Sequence, residues 1–201
     1  MAWFKLSVVL MFTALPMLAV VQSHKIHAGG VPEYTYKVVH TYPHDPSAFT
    51  QGLVYHGGFF YEGTGLTGQS SVRKIRLETG EVVQHTELSP EFFGEGIAII
   101  KDKIVQLTWQ SQTAFVYDLN DFHLLRQFSY SGEGWGLASH GNEIFLSDGT
   151  AEIRVLDGNT FQEKRRLKVH DGSRAITELN ELEFVEGELL DRKSTRLNSS
   201  H

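Results

Sequence analysis

The carboxylate of Glu95 is the residue of this chain best placed to do chemistry. It stands between two glycines in Phe93-Gly94-Glu95-Gly96-Ile97. An acid in so narrow and aromatic a setting loses its hydration, which raises its pKa and suits it to moving protons near neutrality. Similar aromatic and glycine-rich segments carry amide side chains or large rings. Phe49 and Gln51 lie in Phe49-Thr50-Gln51-Gly52-Leu53, Trp109 follows Leu107-Thr108, Trp135 sits in Gly134-Trp135-Gly136-Leu137, and Asn180 opens Asn180-Glu181-Leu182. Amides of the Gln51 and Asn180 type can donate to a developing oxyanion, while aromatic walls exclude water. For Trp109 and Trp135 the sequence alone leaves a second role equally open, packing between repeated units.

Other chemistries find less support. With no Cys, thiol catalysis, disulfides and Cys-type zinc sites are excluded. The ten His residues show neither H-E-x-x-H nor a comparable ligand spacing, so no metal site is assigned. His40 and His44 flank a Pro and read as a loop pair. Gly63-Thr64-Gly65-Leu66-Thr67-Gly68 fits a dinucleotide-type glycine string but lacks the strand–turn–helix context that gives the string meaning. No G-x-S-x-G elbow is present. The net charge of -6 is dispersed, and no basic run interleaved with aromatics points to nucleic acid.

What must position these residues is a repeat. When Leu53, Ile97, Leu137 and Leu182 are set in register, Phe60, Ile104, Ile144 and Leu189 fall in one column. Gly58, Asp102, Asn142 and Gly187 fall in a turn column. A period of roughly 40–45 residues built from short strands is the signature of β-propeller blades, which bring the same end of every unit to one funnel. Strand formers at 59–62, 103–107, 115–119 and 153–156 are followed by turns at 78–80, 120–121 and 157–160. Closing strands are expected at 82–85, 124–128 and 166–169. Segment 34–41 alternates as a strand and is expected to join an outer blade. No amphipathic helix is read. The fold class is all-β.

Both ends depart from the repeat. Lys5 precedes an apolar run at 6–21, interrupted by Thr13 and Pro16 and followed by Gln22-Ser23-His24-Lys25, which reads as a secretory signal peptide with cleavage near Ser23 or after Ala28. The run is short for a spanning helix, so export is expected without a stable membrane anchor. The division expected is a leader and lead-in over 1–28, a propeller over 29–190, and a tail over 191–201 that abandons the repeat and is similar to translated vector sequence. On that reading the propeller is C-terminally truncated.

The motifs named above, with Tyr61-Glu62-Gly63-Thr64-Gly65-Leu66, Gly68-Gln69-Ser70-Ser71-Val72-Arg73, Ser147-Asp148-Gly149-Thr150 and Asn180-Glu181-Leu182-Glu183, resemble in kind and order the plant and bacterial type glutaminyl-peptide cyclotransferases. The resemblance runs from about 33 to 190. It implies a five-bladed β-propeller, present here as three to four blades, that converts the N-terminal Gln of peptides and proteins to pyroglutamate with release of ammonia. This is acyltransferase (aminoacyltransferase) chemistry. Glu95 would be the catalytic carboxylate, and Phe49, Gln51, Trp109, Trp135 and Asn180 would line the substrate pocket. The family's pocket also draws a Trp and a Lys from later blades, which find no match here. No cofactor is needed for the chemistry, a structural ion in the central channel stays open, and the complete protein is expected to be a monomer. A propeller that binds a peptide or sugar without transforming it is the competing reading, because the fold hosts many functions. A lactonase-like hydrolase would want a carboxylate/His metal cluster that the openers do not supply.

Overall fold

The computed structural model describes residues 34–192 together with the backbone of two strands, β1 (Leu6–Leu10) and β2 (Met17–Gln22). The expected cleavage positions and residues 193–201 lie outside the described residues. Every regular element described is a strand.

Three antiparallel four-stranded sheets follow one another along the chain. The first is β4 (Thr50–His56), β5 (Phe59–Thr64), β6 (Ser71–Arg76) and β7 (Val82–Glu87). The second is β8 (Gly94–Ile100), β9 (Lys103–Thr108), β10 (Thr113–Asp118) and β11 (Leu124–Ser129). The third is β12 (Leu137–His140), β13 (Glu143–Leu146), β14 (Glu152–Asp157) and β15 (Glu163–Lys168). A short hairpin, β16 (His170–Asp171) and β17 (Arg174–Ala175), then leads to a second one, β18 (Glu181–Val185) and β19 (Glu188–Arg192). The described residues therefore form three complete blades and the first hairpin of a fourth.

Cross-strand register bears out the repeat. Phe60 faces Tyr55, Ile104 faces Ile99, Ile144 faces Ser139 and Leu189 faces Phe184, each partner lying two residues beyond its opener. The first strand of each unit, β4, β8, β12 and β18, packs beside the next around a common centre. Apolar layers fill the gaps between successive sheets. Tyr61, Val72, Ile97, Ile104 and Phe115 pack the first against the second. Ala98, Val105, Leu107, Leu137, Ile144 and Leu156 pack the second against the third, and Ala138, Phe145, Val155, Leu179 and Leu182 seat the last hairpin. Each such side chain fully removed from water contributes roughly 1.5–3 kcal/mol. The outermost strands carry little of this, and all six residues of β15 are exposed.

One departure concerns β3 (Thr35–Thr41). Expected in an outer blade, it pairs instead with β2, which pairs with β1, in a separate three-stranded antiparallel sheet. Alternating strands have free ladders on both sides, and the apolar segments upstream satisfy one of them. The last hairpin also runs further than the repeat suggested. β19 includes Asp191 and Arg192, and the Asp191 Oδ1 accepts the Asn180 backbone N–H at 2.8 Å.

Candidate active site

The openers converge because glycine lets their backbones touch. A Cβ on Gly52 would meet Ile97 N at 2.5 Å, and one on Gly96 would meet Trp135 O at 2.6 Å and Gly136 Cα at 2.7 Å. Gly136 stands in the same relation to Asn180 and Glu181. The Gly96 N–H also donates to Trp135 O at 2.8 Å, tying the second blade to the third. Gln51, Glu95 and Trp135, just before these glycines, and Asn180, just before Glu181 at the equivalent position, are thereby carried to one end of the centre.

Glu95 is buried, with 8% of its surface exposed. Burial pushes its pKa up to about 8, the neighbouring charge of Glu133 adds to the rise, and a hydrogen bond with the Gln51 side chain opposes it. Glu181 holds the position that glycine occupies in the other three units. Its Oε2 is buried without a hydrogen-bond partner. Burial drives the Glu181 pKa well above the carboxylate range. Arg192 and the Leu53 backbone N–H pull it down, while the charges of Glu95 and Glu183 push the same way as burial. Two acids thus sense each other, and the charge of each favours the protonated form of the other.

An aromatic string starts at Phe93, two residues before Glu95. The Phe49 ring meets Phe93 edge-on at 6.3 Å, and Phe93 meets Trp109 at 5.7 Å. Phe49 and Trp109 are exposed at the mouth, whereas Trp135 is half-buried. The Trp135 ring lies on the backbone of Gly149, whose φ of 78° and missing Cβ leave room for it. Asn180 is fixed through its main chain: Ser147 Oγ donates to its carbonyl at 2.5 Å and accepts from the Gly136 N–H at 2.8 Å. Behind Gln51, the buried Glu62 accepts from Thr50 Oγ1 and lies 2.8 Å from His44 Nε2, anchoring the strand that carries Phe49 and Gln51.

Together these contacts put an amide, an acid with a pKa near 8 and four aromatic rings at one end of the inner strands.

A model of the family described as glutamine cyclotransferase matches residues 9–192. The chain belongs to the glutamine cyclotransferase family. Within that family it is 39% identical over 155 residues to the glutaminyl-peptide cyclotransferase of Arabidopsis thaliana, a match covering 76% of this chain and 48% of that protein. The crystal structure of Myxococcus xanthus glutaminyl cyclase superposes with a TM-score of 0.71 at 31% identity, covering 78% of this chain and 66% of that one. The chain thus spans about half the length of the plant relative. The WD40 domain of Neurospora crassa Pan2, with a TM-score of 0.58 at 13% identity, shares the propeller fold alone.

Against this family background, three residues of the site went unassigned from sequence. Phe93 bridges Phe49 and Trp109, a contact that its place in the 93–97 motif does not reveal. Glu181 sits in the glycine column and only packing reveals it. Glu133 accepts the Nε1–H of both Trp109 and Trp135, each at 2.8 Å from its Oε2, and Gln110 Nε2 donates to its Oε1 at 3.2 Å. Two further features lie away from the site. Asp118, Asp121 and His123 bring ligand atoms within 4.8 Å of one another, but at the turn joining β10 to β11, at the opposite end of the blade. A cavity of about 480 Å³ runs along the far halves of the inner strands, lined by residues including Tyr55, Phe60, Leu137 and Glu183, and contains none of the expected site residues.

Proposed function

We propose that the full-length protein is a glutaminyl-peptide cyclotransferase. On this reading it closes the N-terminal Gln of peptides and proteins to pyroglutamate and releases ammonia, with Glu95 as the proton carrier. The observation that carries the reading is a buried carboxyl with a pKa of about 8 beside an amide and inside an aromatic wall. The names of the plant and bacterial relatives support it.

The reaction needs two proton movements and no cofactor for its balance. The α-amine attacks the γ-carbonyl carbon as a neutral base, the C–N bond of the ring forms, and the carboxamide nitrogen leaves as ammonia once protonated. A peptide α-amine has a pKa of about 7.7–8.0, close to that of Glu95, so one proton passes between them at little energetic cost. In the fraction of molecules where Glu95 is ionised, it accepts that proton as the amine attacks and returns it to the departing nitrogen. Because both reacting groups belong to one residue, the α-amine and the side-chain carboxamide, proximity is largely supplied by the substrate. Gln51 and Asn180 are assigned to hold the γ-carboxamide oxygen and the peptide backbone, and Phe49, Trp109 and Trp135 to exclude water.

Export belongs to the same proposal, with 6–21 as leader, no stable membrane anchor and secreted or periplasmic peptides as substrates; the sheet of β1, β2 and β3 then belongs to the chain before the leader is removed. So do a ring of five blades and a monomeric state. Incubating the purified full-length protein with a Gln-initiated peptide and following mass and ammonia tests the function. Loss of one ammonia per peptide is expected. Binding with unchanged mass would favour a peptide-binding propeller.

A further inference from the structure

Two indoles from different blades share one acceptor. Trp109 follows β9 in the second blade, Trp135 precedes β12 in the third, and Glu133 lies on the connection between them. Both Nε1–H groups reach the same Glu133 oxygen at 2.8 Å, and Gln110 takes the other. An indole has one polar donor and no acceptor, so a single well-placed acceptor fixes its rotation in the ring plane. Packing fixes the rest, since Trp109 meets the Phe93 ring at 5.7 Å and Trp135 lies on Gly149. Glu133 occupies the repeat position that Phe49 and Phe93 hold in the first two units, four residues before the aligned apolar residue. An aromatic ring there could pack, but it could not accept two N–H groups.

We propose that Glu133 is a positioning residue of the reaction, a carboxylate that draws Trp109 and Trp135 into one wall and places a fixed negative charge beside Glu95. The hydrogen bond from Trp135, then those from Gln110 and Trp109, hold the Glu133 pKa below the ordinary carboxylate value, so the group is ionised at neutral pH. Its charge in turn favours the protonated form of Glu95. The other groups facing Glu95 are Gln51, Glu181 and Tyr130; Asp148, in an ion pair with Arg154 at 2.8 Å, faces Glu133. Glu133 is the ionised member of this set that also bonds the pocket walls.

The substrate side of this inference rests on the cyclotransferase reading, so its test has one arm that does not. Glu133→Gln keeps an acceptor oxygen and loses the charge; Glu133→Ala loses both. In the full-length protein, Glu133→Gln is expected to keep KM for a Gln-initiated peptide within about threefold and to move the limb of the kcat/KM–pH profile belonging to Glu95 to lower pH. Glu133→Ala is expected to raise KM about tenfold or more, the scale of hydrogen bonds to a charged group, with a smaller change in kcat. Without substrate, indole emission in Glu133→Ala should shift to the red and become more accessible to acrylamide than in Glu133→Gln, at similar thermal midpoints. A Glu95 limb that stays in place in Glu133→Gln would overturn the electrostatic half. Unchanged KM and unchanged indole emission in Glu133→Ala would overturn the clamp. If the wild-type protein cyclises nothing, the proposed function fails while the emission result still decides the clamp.

Discussion

Replacing Glu95 by Gln should make the folded protein more stable while it removes the proposed chemistry. The carboxyl is buried and its pKa rises from 4.5 to about 8 on folding. Below about pH 4.5 both folded and unfolded chains hold the proton, so the shift has no effect. Between pH 4.5 and 8 the unfolded chain releases the proton while the folded one keeps it, so stability falls as pH rises. Above pH 8 the loss is complete, at about 5 kcal/mol; at pH 7 it is about 3 kcal/mol. Gln is neutral throughout, has nearly the same volume and can keep a hydrogen bond with Gln51. The variant should therefore match wild type near pH 4.5 and exceed it increasingly up to pH 8, by roughly 6–12 °C in thermal midpoint at pH 7 for a chain of this size. Thermal unfolding of both proteins from pH 5 to 9 reads the difference directly. Parallel curves across that range would refute the claim that Glu95 is held protonated by its surroundings. A destabilised variant at pH 8 would refute it as well.

Other consequences follow from the packing and the pocket. Gly96→Ala puts a Cβ 2.6 Å from Trp135 O and 2.7 Å from Gly136 Cα, where only backbone could give way, so urea unfolding should show a loss of about 1–3 kcal/mol or more; an unchanged midpoint would contradict the close approach of the inner strands. Glu62→Ala leaves the Thr50 hydroxyl and the His44 ring without their shared acceptor and should cost about 2–4 kcal/mol in the same assay, whereas a neutral result would show that Glu62 does not anchor β4. Peptides starting with Gln should be processed far faster than those starting with Glu at pH 7, because a γ-carboxylate would lose its hydration with no assigned cation to receive it; comparable rates would contradict the pocket.

Much of the fold was legible because the repeat is written in residue types. Leu53, Ile97, Leu137 and Leu182 share a column at the same point of each inner strand, the last three fill successive interblade layers, and the glycines before the first three mark backbone contact. β3 was misplaced because an alternating strand advertises a free ladder without saying which neighbour will take it. In the site, Glu95 could be picked out by its flanking glycines, a local signal. Glu133 could not, because its role depends on two indoles whose separation in sequence, 24 residues in one case and 2 in the other, says nothing about their meeting. Glu181 escaped notice for a related reason. Its opener, Asn180-Glu181-Leu182, has no glycine to mark it, and only the contact with Gly136 and the hydrogen bond with the Leu53 backbone show it at the centre.

The central claim is that Glu95 carries the proton between the attacking amine and the departing nitrogen. It is tested most directly by the turnover of Glu95→Gln on a Gln-initiated peptide, with binding of the same peptide measured in parallel. Turnover lower by at least about a hundredfold, with peptide affinity and folding retained, is the predicted result. Ammonia release at a near-wild-type rate would contradict the account.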